Sequence, residues 1–262
     1  MENEKVELSK YRIEQKCMEI TCRYYSKWLG QDGILLRDLK GVTYLYSEER
    51  NHVPYGYGAA FDLYVFYQKE RIVISYGDKV KGCEKILKSE IDSDMSAIEV
   101  KQVLERVLGK KADHNVKYIF AGHPVSDFGA KVLVEEDYNK YENFWRKCHP
   151  GCENTEWLKE YFDEMIRERM CIGYLSDDIL VSCTDAPGMP YMEHEVQEIG
   201  INTLSEFQKK GYASAVCQKC LCEILRQGKV PQWSCGIGNQ ASKKLAEKVG
   251  FVEFAEVISM TV

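Results

Sequence analysis

The segment from residue 195 to residue 260 most constrains the fold, because its elements alternate in type. A strand pattern over 195–204 precedes a helix pattern over 211–226, and a second strand and helix follow at 230–235 and 240–249. The apolar positions of the first helix recur at steps of three and four: Ala213, Val216, Cys217, Cys220, Leu221, Ile224 and Leu225. Strands that alternate with helices predict an α/β sheet.

The remaining patterns extend this mixed class to the rest of the chain. Further helices are predicted over 4–29, over 136–148 and from Asn154 or Thr155 to about Met170. Another begins at Ser93 or Asp94 and ends at Gly109. Runs rich in β-branched and aromatic residues predict further strands. These strands cover 42–47, 59–76 (a hairpin across Gln68–Arg71), 116–120, 171–175, 179–183 and 251–260.

Chain length allows one large domain or two small ones. The chain has 262 residues, and a domain typically takes ~150. We expect an N-terminal α/β domain over 1–135 and a second domain over 136–262. The N-terminal half is either a degenerate copy of the second domain's fold or an unrelated α+β cap, and either could form one wall of a substrate cleft.

Composition excludes several classes of protein. Hydrophobic residues make up 45% and charged residues 29%, which is too apolar for a mainly disordered chain. No apolar run approaches the ~20 residues of a membrane helix, and the first residues show no secretory signal. A net charge of −6 argues against a nucleic-acid partner. Eleven cysteines without an export signal predict reduced thiols and a cytoplasmic location.

A candidate anion site precedes the helix at 211–226. Its residues are Gln208, Lys209, Lys210, Gly211, Tyr212, Ala213 and Ser214. The first N–H groups of a helix lack intrahelical partners and carry the positive end of its dipole, so they suit a pyrophosphate. Gly211 lets a phosphate approach the backbone, and the two lysines add positive charge. The alternative is a plain strand-to-helix turn.

A second candidate lies at the start of the last helix. Asn239 is a good N-cap, and Gly250 is a good residue to follow the helix end. Capping alone explains both residues. In the functional alternative, the side chains of Asn239 and Ser242 also hydrogen-bond a ligand that lies across this helix start.

Taken together, these segments carry a resemblance to a known family. Their order is Gln208-x-x-Gly211-x-Ala213, a helix, a strand, Asn239-x-x-Ser242 and Gly250-Phe251. This order resembles the GNAT superfamily of N-acetyltransferases, and more specifically a bacterial branch labelled GNAT acetyltransferase that has an atypical N-terminal half. The resemblance is good over about 154–260 and loose over 1–135. It implies a mixed, twisted sheet flanked by helices, in the acyl-CoA N-acyltransferase fold.

The resemblance also implies a co-substrate, acetyl-CoA, and a reaction. A primary amine of a small molecule attacks the thioester directly, with no covalent enzyme intermediate. The implied cofactor-binding residues are Ile201, Asn202 and Thr203 on the strand, Gln208, Lys209, Lys210, Gly211, Tyr212, Ala213 and Ser214 at the phosphates, and Asn239 and Ser242 on the last helix. The resemblance leaves the acceptor amine and the choice between monomer and homodimer open.

Two catalytic groups remain open. Glu198 is the first candidate for the general base, with Glu193, His194 and Glu195 as alternatives, and a solvated strand carboxylate explains Glu198 equally well. Many family members place a tyrosine acid four residues before the glycine of Gly-Phe, where this chain has Ala246. The second hypothesis is therefore a non-catalytic acyl-CoA binding or sensing module. A third is a plain anion- or nucleotide-binding domain.

No metal site is predicted. The pair Cys217-x-x-Cys220 lies on the apolar face of a helix and lacks a second pair at zinc-site spacing. The cluster of Cys148, His149 and Cys152 supplies at most three ligands. Core packing explains the first pattern, and an ordinary loop explains the second.

Overall fold

The computed structural model describes residues 2–123, 129–152 and 154–262, with side chains from residue 14 onward. The helices are α1 (Glu2–Trp28), α2 (Asp78–Lys81), α3 (Glu84–Glu90), α4 (Ala97–Leu108), α5 (Tyr138–Cys148), α6 (Leu158–Arg167), α7 (Tyr212–Arg226) and α8 (Gln240–Lys248). The strands are β1 (Gly41–Tyr46), β2 (Leu63–Gln68), β3 (Arg71–Tyr76), β4 (Asp113–Phe120), β5 (Lys131–Val132), β6 (Ile172–Ser176), β7 (Ile179–Asp185), β8 (Val196–Glu198), β9 (Gly200–Thr203), β10 (Val230–Gly236) and β11 (Phe251–Met260).

These strands form two sheets. The larger has the order β1-β3-β2-β11-β4-β10-β8, and the smaller has the order β5-β6-β7-β9. In the larger sheet, β1–β3 and β10–β8 are parallel, and the other neighbours are antiparallel. The mixed sheet flanked by helices confirms the predicted fold class.

Strand β11 joins the early and late parts of the chain. It pairs with β2 through Glu256–Met260 and with β4 through Phe251–Ser259. Strands from both sides of residue 135 therefore share one sheet, and the division into two domains at that residue stays a prediction. The predicted hairpin is confirmed, because β2 and β3 pair in antiparallel register up to Gln68 and Arg71.

The prediction of one continuous strand over 195–204 is wrong. The segment forms two strands that belong to different sheets, since β8 pairs with β10 and β9 pairs with β7. The change occurs at Ile199, followed by Gly200, where a Cβ atom would lie 2.3 Å from the carbonyl oxygen of Asp185. A side chain cannot fit there, so the glycine allows the chain to join the second sheet.

Helix boundaries differ from prediction in the first and last turns. The start of α4 is capped by Ser96, not by Ser93 or Asp94. Its hydroxyl accepts from the N–H of Glu99 at 3.4 Å, while the Glu99 carboxylate accepts from the N–H of Ser96 at 2.7 Å. This capping box satisfies two otherwise unpaired donors. Helix α7 begins at Tyr212, with Gly211 as its cap, and α6 is shorter than predicted.

Helices cover both faces of the larger sheet near β10. The amide of Gln232 donates to the hydroxyl of Thr21 on α1 at 3.0 Å. The neighbouring Trp233 points to the opposite face, where its indole N–H donates to Ser242 on α8 at 3.1 Å. Helix α7 contacts β10 as well as β6, β7 and β9, so it packs against both sheets. Among the described residues, no helix combines the length and apolar character needed to cross a membrane.

Candidate functional site

The departure of β9 from the larger sheet opens a wedge beside β10. Strands β8 and β10 are paired up to Glu198 and Gln232, and the N–H of Ile199 donates to the carbonyl of Gln232 at 3.1 Å. Beyond this point, β9 follows β7, whereas β10 continues along β4. A cavity of about 840 Å³ lies in the wedge. Its two strand walls are Ile199, Gly200, Ile201 and Thr203 on one side and Trp233, Ser234 and Cys235 on the other.

The edge of β9 that faces away from β7 carries backbone groups available to a ligand. In an antiparallel pair, successive residues point their N–H and C=O groups alternately toward and away from the partner. The N–H of Leu204 donates to Val181 on β7 at 3.0 Å. The backbone groups of Ile201 and Thr203 therefore point away from β7. The carbonyl of Thr203 accepts weakly from the side chain of Gln208 at 3.4 Å.

The start of α7 forms the next wall of the cavity. Gly211 caps this helix with φ of 90°, and no side chain caps the first turn. A Cβ atom on Gly211 would meet nothing within 4 Å, because it would point into open space. The first backbone bond of the helix runs from the N–H of Ala215 to the carbonyl of Gly211. The preceding N–H groups have no intrahelical acceptor and form the positive end of the helix dipole.

The charge of the cavity is opposite to that of the whole chain. Among the described residues that line it, the charged ones are all lysines: Lys209, Lys244 and Lys248. The chain as a whole carries a net charge of −6. A local excess of positive charge in an acidic protein favours an anionic ligand at this position.

Most of the predicted cofactor-binding residues meet in this one cavity. Its lining includes Ile201, Thr203, Gln208, Lys209, Gly211, Tyr212, Ala213, Ser214, Asn239 and Ser242. The other two lie beside it. Asn202 pairs with Cys183 on the β7 side of the strand, and the ammonium of Lys210 lies 4.8 Å from the centre of the Phe207 ring.

The start of α8 shows the capping role expected of Asn239. Its side-chain oxygen accepts from the N–H of Ser242 at 3.1 Å. The hydroxyl of Ser242 accepts from Trp233, as described above, and it can still donate one hydrogen bond. Both residues line the cavity, so capping and ligand contact are compatible at this helix start.

Glu198 lies where the two sheets separate. Its carboxylate accepts from the hydroxyl of Ser234 at 2.7 Å, and Ser234 also lines the cavity. Lys117 is the partner of Ser234 across β4 and β10, so both side chains share the face that α1 covers. Burial lowers the pKa of the Lys117 ammonium, and the nearby Glu198 carboxylate opposes this change. Glu198 therefore has two polar neighbours, Ser234 and Lys117, at the inner end of the wedge.

Two tyrosines lie within electrostatic range of this carboxylate. Burial raises the pKa of Tyr57 to about 12, and the Glu198 charge adds to the increase. Burial likewise raises the pKa of Tyr24, again with a contribution from Glu198. These phenols stay neutral near pH 7 and can donate hydrogen bonds to a charged or polar acceptor molecule.

The alternative bases lie further out. Glu195 forms an ion pair with Arg23 at 2.9 Å, in which both side chains are more than a third exposed. Glu193 and His194 are 3.5 Å apart, and their side chains are largely exposed. Glu198 is the member of this acidic segment whose partner also lines the cavity.

Ala246 lies on the buried face of α8 and is fully inaccessible to solvent. Its methyl group offers no proton to a leaving thiolate. Among the residues that line the cavity, Tyr212 carries a phenol, and its ring lies 4.5 Å from that of Tyr174.

Four residues at or near the site were not predicted from the sequence: Lys117, Ser234, Lys244 and Lys248. No motif marks them, because the first two meet only through the register of β4 and β10. The two lysines follow Asn239 at positions five and nine along α8. Their helical spacing places them on neighbouring turns, which was the one signal available.

The cysteine clusters do not come together at the site. Cys217 and Cys220 are both buried completely in the core, and His149 stacks on Trp145 at 4.4 Å. Within the described ranges, no group of three or more histidine, cysteine, aspartate or glutamate side chains is placed to hold a metal ion.

Comparison with known proteins identifies the family. The family model for GNAT acetyltransferase matches residues 95–257. The match covers more than half of this chain, and the chain therefore belongs to the GNAT acetyltransferase family. The resemblance stated from the motifs is confirmed, and the chain is a member of a family of acetyltransferases.

Individual relatives are distant. A Bacillus subtilis (strain 168) protein named uncharacterized N-acetyltransferase YdfB is 35% identical over 112 residues. This alignment spans 41% of the chain and 41% of the curated relative. A GNAT-family acetyltransferase structure from Novosphingobium aromaticivorans is 20% identical with a TM-score of 0.44, covering 57% of this chain and 63% of that one. One from Colwellia psychrerythraea is 15% identical with a TM-score of 0.49 and covers 57% of each chain.

Proposed function

We propose that this protein is an acetyl-CoA-dependent N-acetyltransferase that acts on a primary amine of a small molecule by direct attack. The observation that carries the proposal is the wedge between β9 and β10. A strand edge with outward-pointing backbone groups, a helix start without a side-chain cap and three lysines line one cavity of about 840 Å³. Family membership supports acetyl transfer, and the wedge supports acetyl-CoA as the donor.

The proposed placement of acetyl-CoA follows from the chemistry of each wall. The pyrophosphate accepts hydrogen bonds from the first N–H groups of α7, where Gly211 leaves open space. The amide groups of the pantetheine arm pair with the backbone of Ile201 and Thr203, as an added strand would. Lys244 and Lys248 neutralise the remaining phosphate charge. The acetyl group then lies near the inner end of the wedge.

Glu198 is the proposed general base. An attacking amine must be neutral, so a proton has to leave its ammonium form. The nitrogen forms a bond to the thioester carbon, the C–S bond breaks, and the CoA sulfur leaves as a thiolate that takes up a proton. Glu198 accepts the proton from nitrogen, and the hydrogen bond from Ser234 holds the carboxylate at the end of the cavity.

Calorimetric titration with acetyl-CoA, CoA and ATP tests the donor site. We expect acetyl-CoA and CoA to bind and ATP to bind at least ten times more weakly, because ATP has no pantetheine arm for β9. Equal affinity for ATP would instead support the plain nucleotide-binding domain. A panel of primary amines, with N-acetylated product detected by mass spectrometry, then tests transfer.

Ala246 favours a second candidate, a non-catalytic acyl-CoA binding or sensing module. The buried alanine occupies the position from which many relatives supply an acid. Binding of acetyl-CoA without acetylation of any amine would support this alternative. Reaction with any amine faster than the uncatalysed background would exclude it.

We also propose that the protein is cytoplasmic. All eleven cysteines are free thiols, and a reducing compartment maintains that state. Measurement of free thiols in protein prepared without added reductant tests this point. Fewer than eleven titratable thiols in the unfolded chain would count against it.

A further inference from the structure

A buried arginine lies close to the proposed acceptor side of the site. Arg50 is the third residue of a short 3-10 turn that follows β1, and only 1% of it is exposed. None of its three guanidinium nitrogens has a hydrogen-bond partner among the described residues. The hydroxyl of Tyr191 lies beside the guanidinium and raises its pKa. Burial raises the pKa of this phenol, so Tyr191 stays neutral and supplies no counter-charge.

An arrangement of this kind is unfavourable unless an anion completes it. Burial lowers the pKa of Arg50, yet a guanidinium remains protonated in proteins. A buried charge without a partner carries a large desolvation cost. The carboxylate of the adjacent Glu49 raises the Arg50 pKa from a distance. Its side chain is exposed, however, and within the described residues it makes no hydrogen bond to the guanidinium. Among the described residues, no anion is hydrogen-bonded to the guanidinium.

A group of packed aromatic rings lies beside the guanidinium. We call Trp28, Tyr57, Phe61, Tyr64 and Tyr191 the aromatic cluster. The Arg50 guanidinium carbon lies 5.4 Å from the centre of the Tyr64 ring. Tyr64 stacks on Trp28 at 5.4 Å, and Trp28 meets Tyr57 and Tyr191 edge-on at 5.5 and 5.3 Å. Such walls suit the carbon skeleton of a small apolar or aromatic ligand.

The segment that carries Tyr191 also contacts Glu198, because the N–H of Glu198 donates to the sulfur of Met189 at 3.2 Å. Burial raises the pKa of Tyr64 well above its ordinary value, and the charges of Arg50 and Glu198 act on it in opposite directions. Tyr64 therefore lies within electrostatic range of both groups. Tyr57 is 44% exposed and lies on the solvent side of the cluster, so a ligand would enter by moving its ring aside.

We propose that the acceptor is an amine that also carries a carboxylate, which Arg50 binds while the amine faces Glu198. This inference rests on the proposed function and adds its substrate class. A carboxylate matches the two parallel N–H donors of a guanidinium. A phosphate dianion would need a second unpaired cation, whereas the nearby Lys27 already pairs with Asp32 at 2.7 Å.

The test compares amines that differ only in the carboxylate. One pair is L-phenylalanine and phenethylamine. The other is 5-aminopentanoate and butylamine, in which the amine and the carboxylate are further apart. With the unchanged protein, we expect at least one carboxylate-bearing amine to have a kcat/KM more than ten times that of its partner. Truncation of a buried, hydrogen-bonded charge typically weakens binding by about 30-fold or more. Arg50→Met should therefore remove this preference.

Two controls separate recognition from folding. Arg50→Met should leave kcat/KM for the amines without a carboxylate within about threefold. Its Tm should be unchanged or higher, because an unpartnered buried charge is replaced by an apolar side chain of similar length. Arg50→Lys keeps the charge but loses the planar fork, and it should recover only part of the preference.

The readouts also distinguish this inference from the proposed function. Failure of acetyl-CoA to bind would refute the proposed function. If acetyl-CoA binds, thermal shifts with the two carboxylate-bearing amines in the presence of CoA give a second measurement that needs no turnover. A shift lost in Arg50→Met supports the inference. No shift with either compound, or equal shifts in both proteins, would overturn it and leave acetyl-CoA binding intact.

Discussion

Replacement of Gly211 by glutamate would place a carboxylate at the proposed pyrophosphate site. A Cβ atom there meets nothing within 4 Å, so the side chain causes no internal clash. The substitution should still lower the free energy of unfolding by about 1–2 kcal/mol, because a residue other than glycine is strained in the left-handed conformation. Gly228, just after α7, offers a matched control. It has φ of 75° and also faces open space, but it lies at the opposite end of the helix.

The expected loss of affinity follows from the added charge. Two like charges about 4 Å apart repel by about 4 kcal/mol at an effective dielectric constant of about 20. Solvent in an open cavity screens part of this repulsion, so we expect Gly211→Glu to bind acetyl-CoA about 100-fold more weakly, or ~2.7 kcal/mol. Gly228→Glu should lose similar stability and bind acetyl-CoA within about twofold of the unchanged protein.

Calorimetric titration measures the affinity, and thermal unfolding measures the strain of each variant. The two values of Tm should fall together, whereas the dissociation constants should separate by about two orders of magnitude. Unchanged acetyl-CoA affinity in Gly211→Glu would refute the placement of the pyrophosphate. Equal weakening in both variants would show that backbone strain, and not the phosphate contact, governs binding.

Three further predictions follow from the described contacts. Glu198→Gln should lower kcat by about 10²–10⁴ with an unchanged acetyl-CoA dissociation constant, which single-turnover kinetics and calorimetry can check; unchanged kcat would remove Glu198 as the base. The pKa of Glu223 is lowered to about 2, chiefly by its hydrogen bonds to Arg169. Its contribution to stability is therefore complete above about pH 4.5 and is lost as the pH falls toward about 2. In Glu223→Gln, the free energy of unfolding measured with urea should depend less on pH over that range. A pH profile identical to that of the unchanged protein would contradict this prediction. Ser96→Ala should cost about 1 kcal/mol and Ser93→Ala almost nothing, since only Ser96 caps α4; equal costs would contradict the capping box.

The strongest local patterns predicted their elements well. The apolar stripe of α7 is buried as expected, with Val216, Cys217, Cys220, Leu221 and Ile224 all inaccessible to solvent. A helix face repeats every few residues, so the pattern is visible along the chain itself. The glycine-containing run before α7 and the asparagine cap of α8 are equally local. They were sufficient to indicate the family, because the motif order and spacing are properties of the sequence.

The tertiary structure alone decided how the site is assembled. An unbroken strand pattern over 195–204 gave no sign that β8 and β9 belong to different sheets, because strand pairing depends on partners distant in the chain. The contact between Glu198 and Ser234, 36 residues apart, depends on that pairing. Arg50 follows two glutamates in a polar run typical of a surface. Its burial depends on the tertiary structure, which places Tyr64 and Tyr191 beside it. Periodicity along a chain determines elements, whereas the unpaired edges and buried charges that can bind ligands arise only when those elements meet.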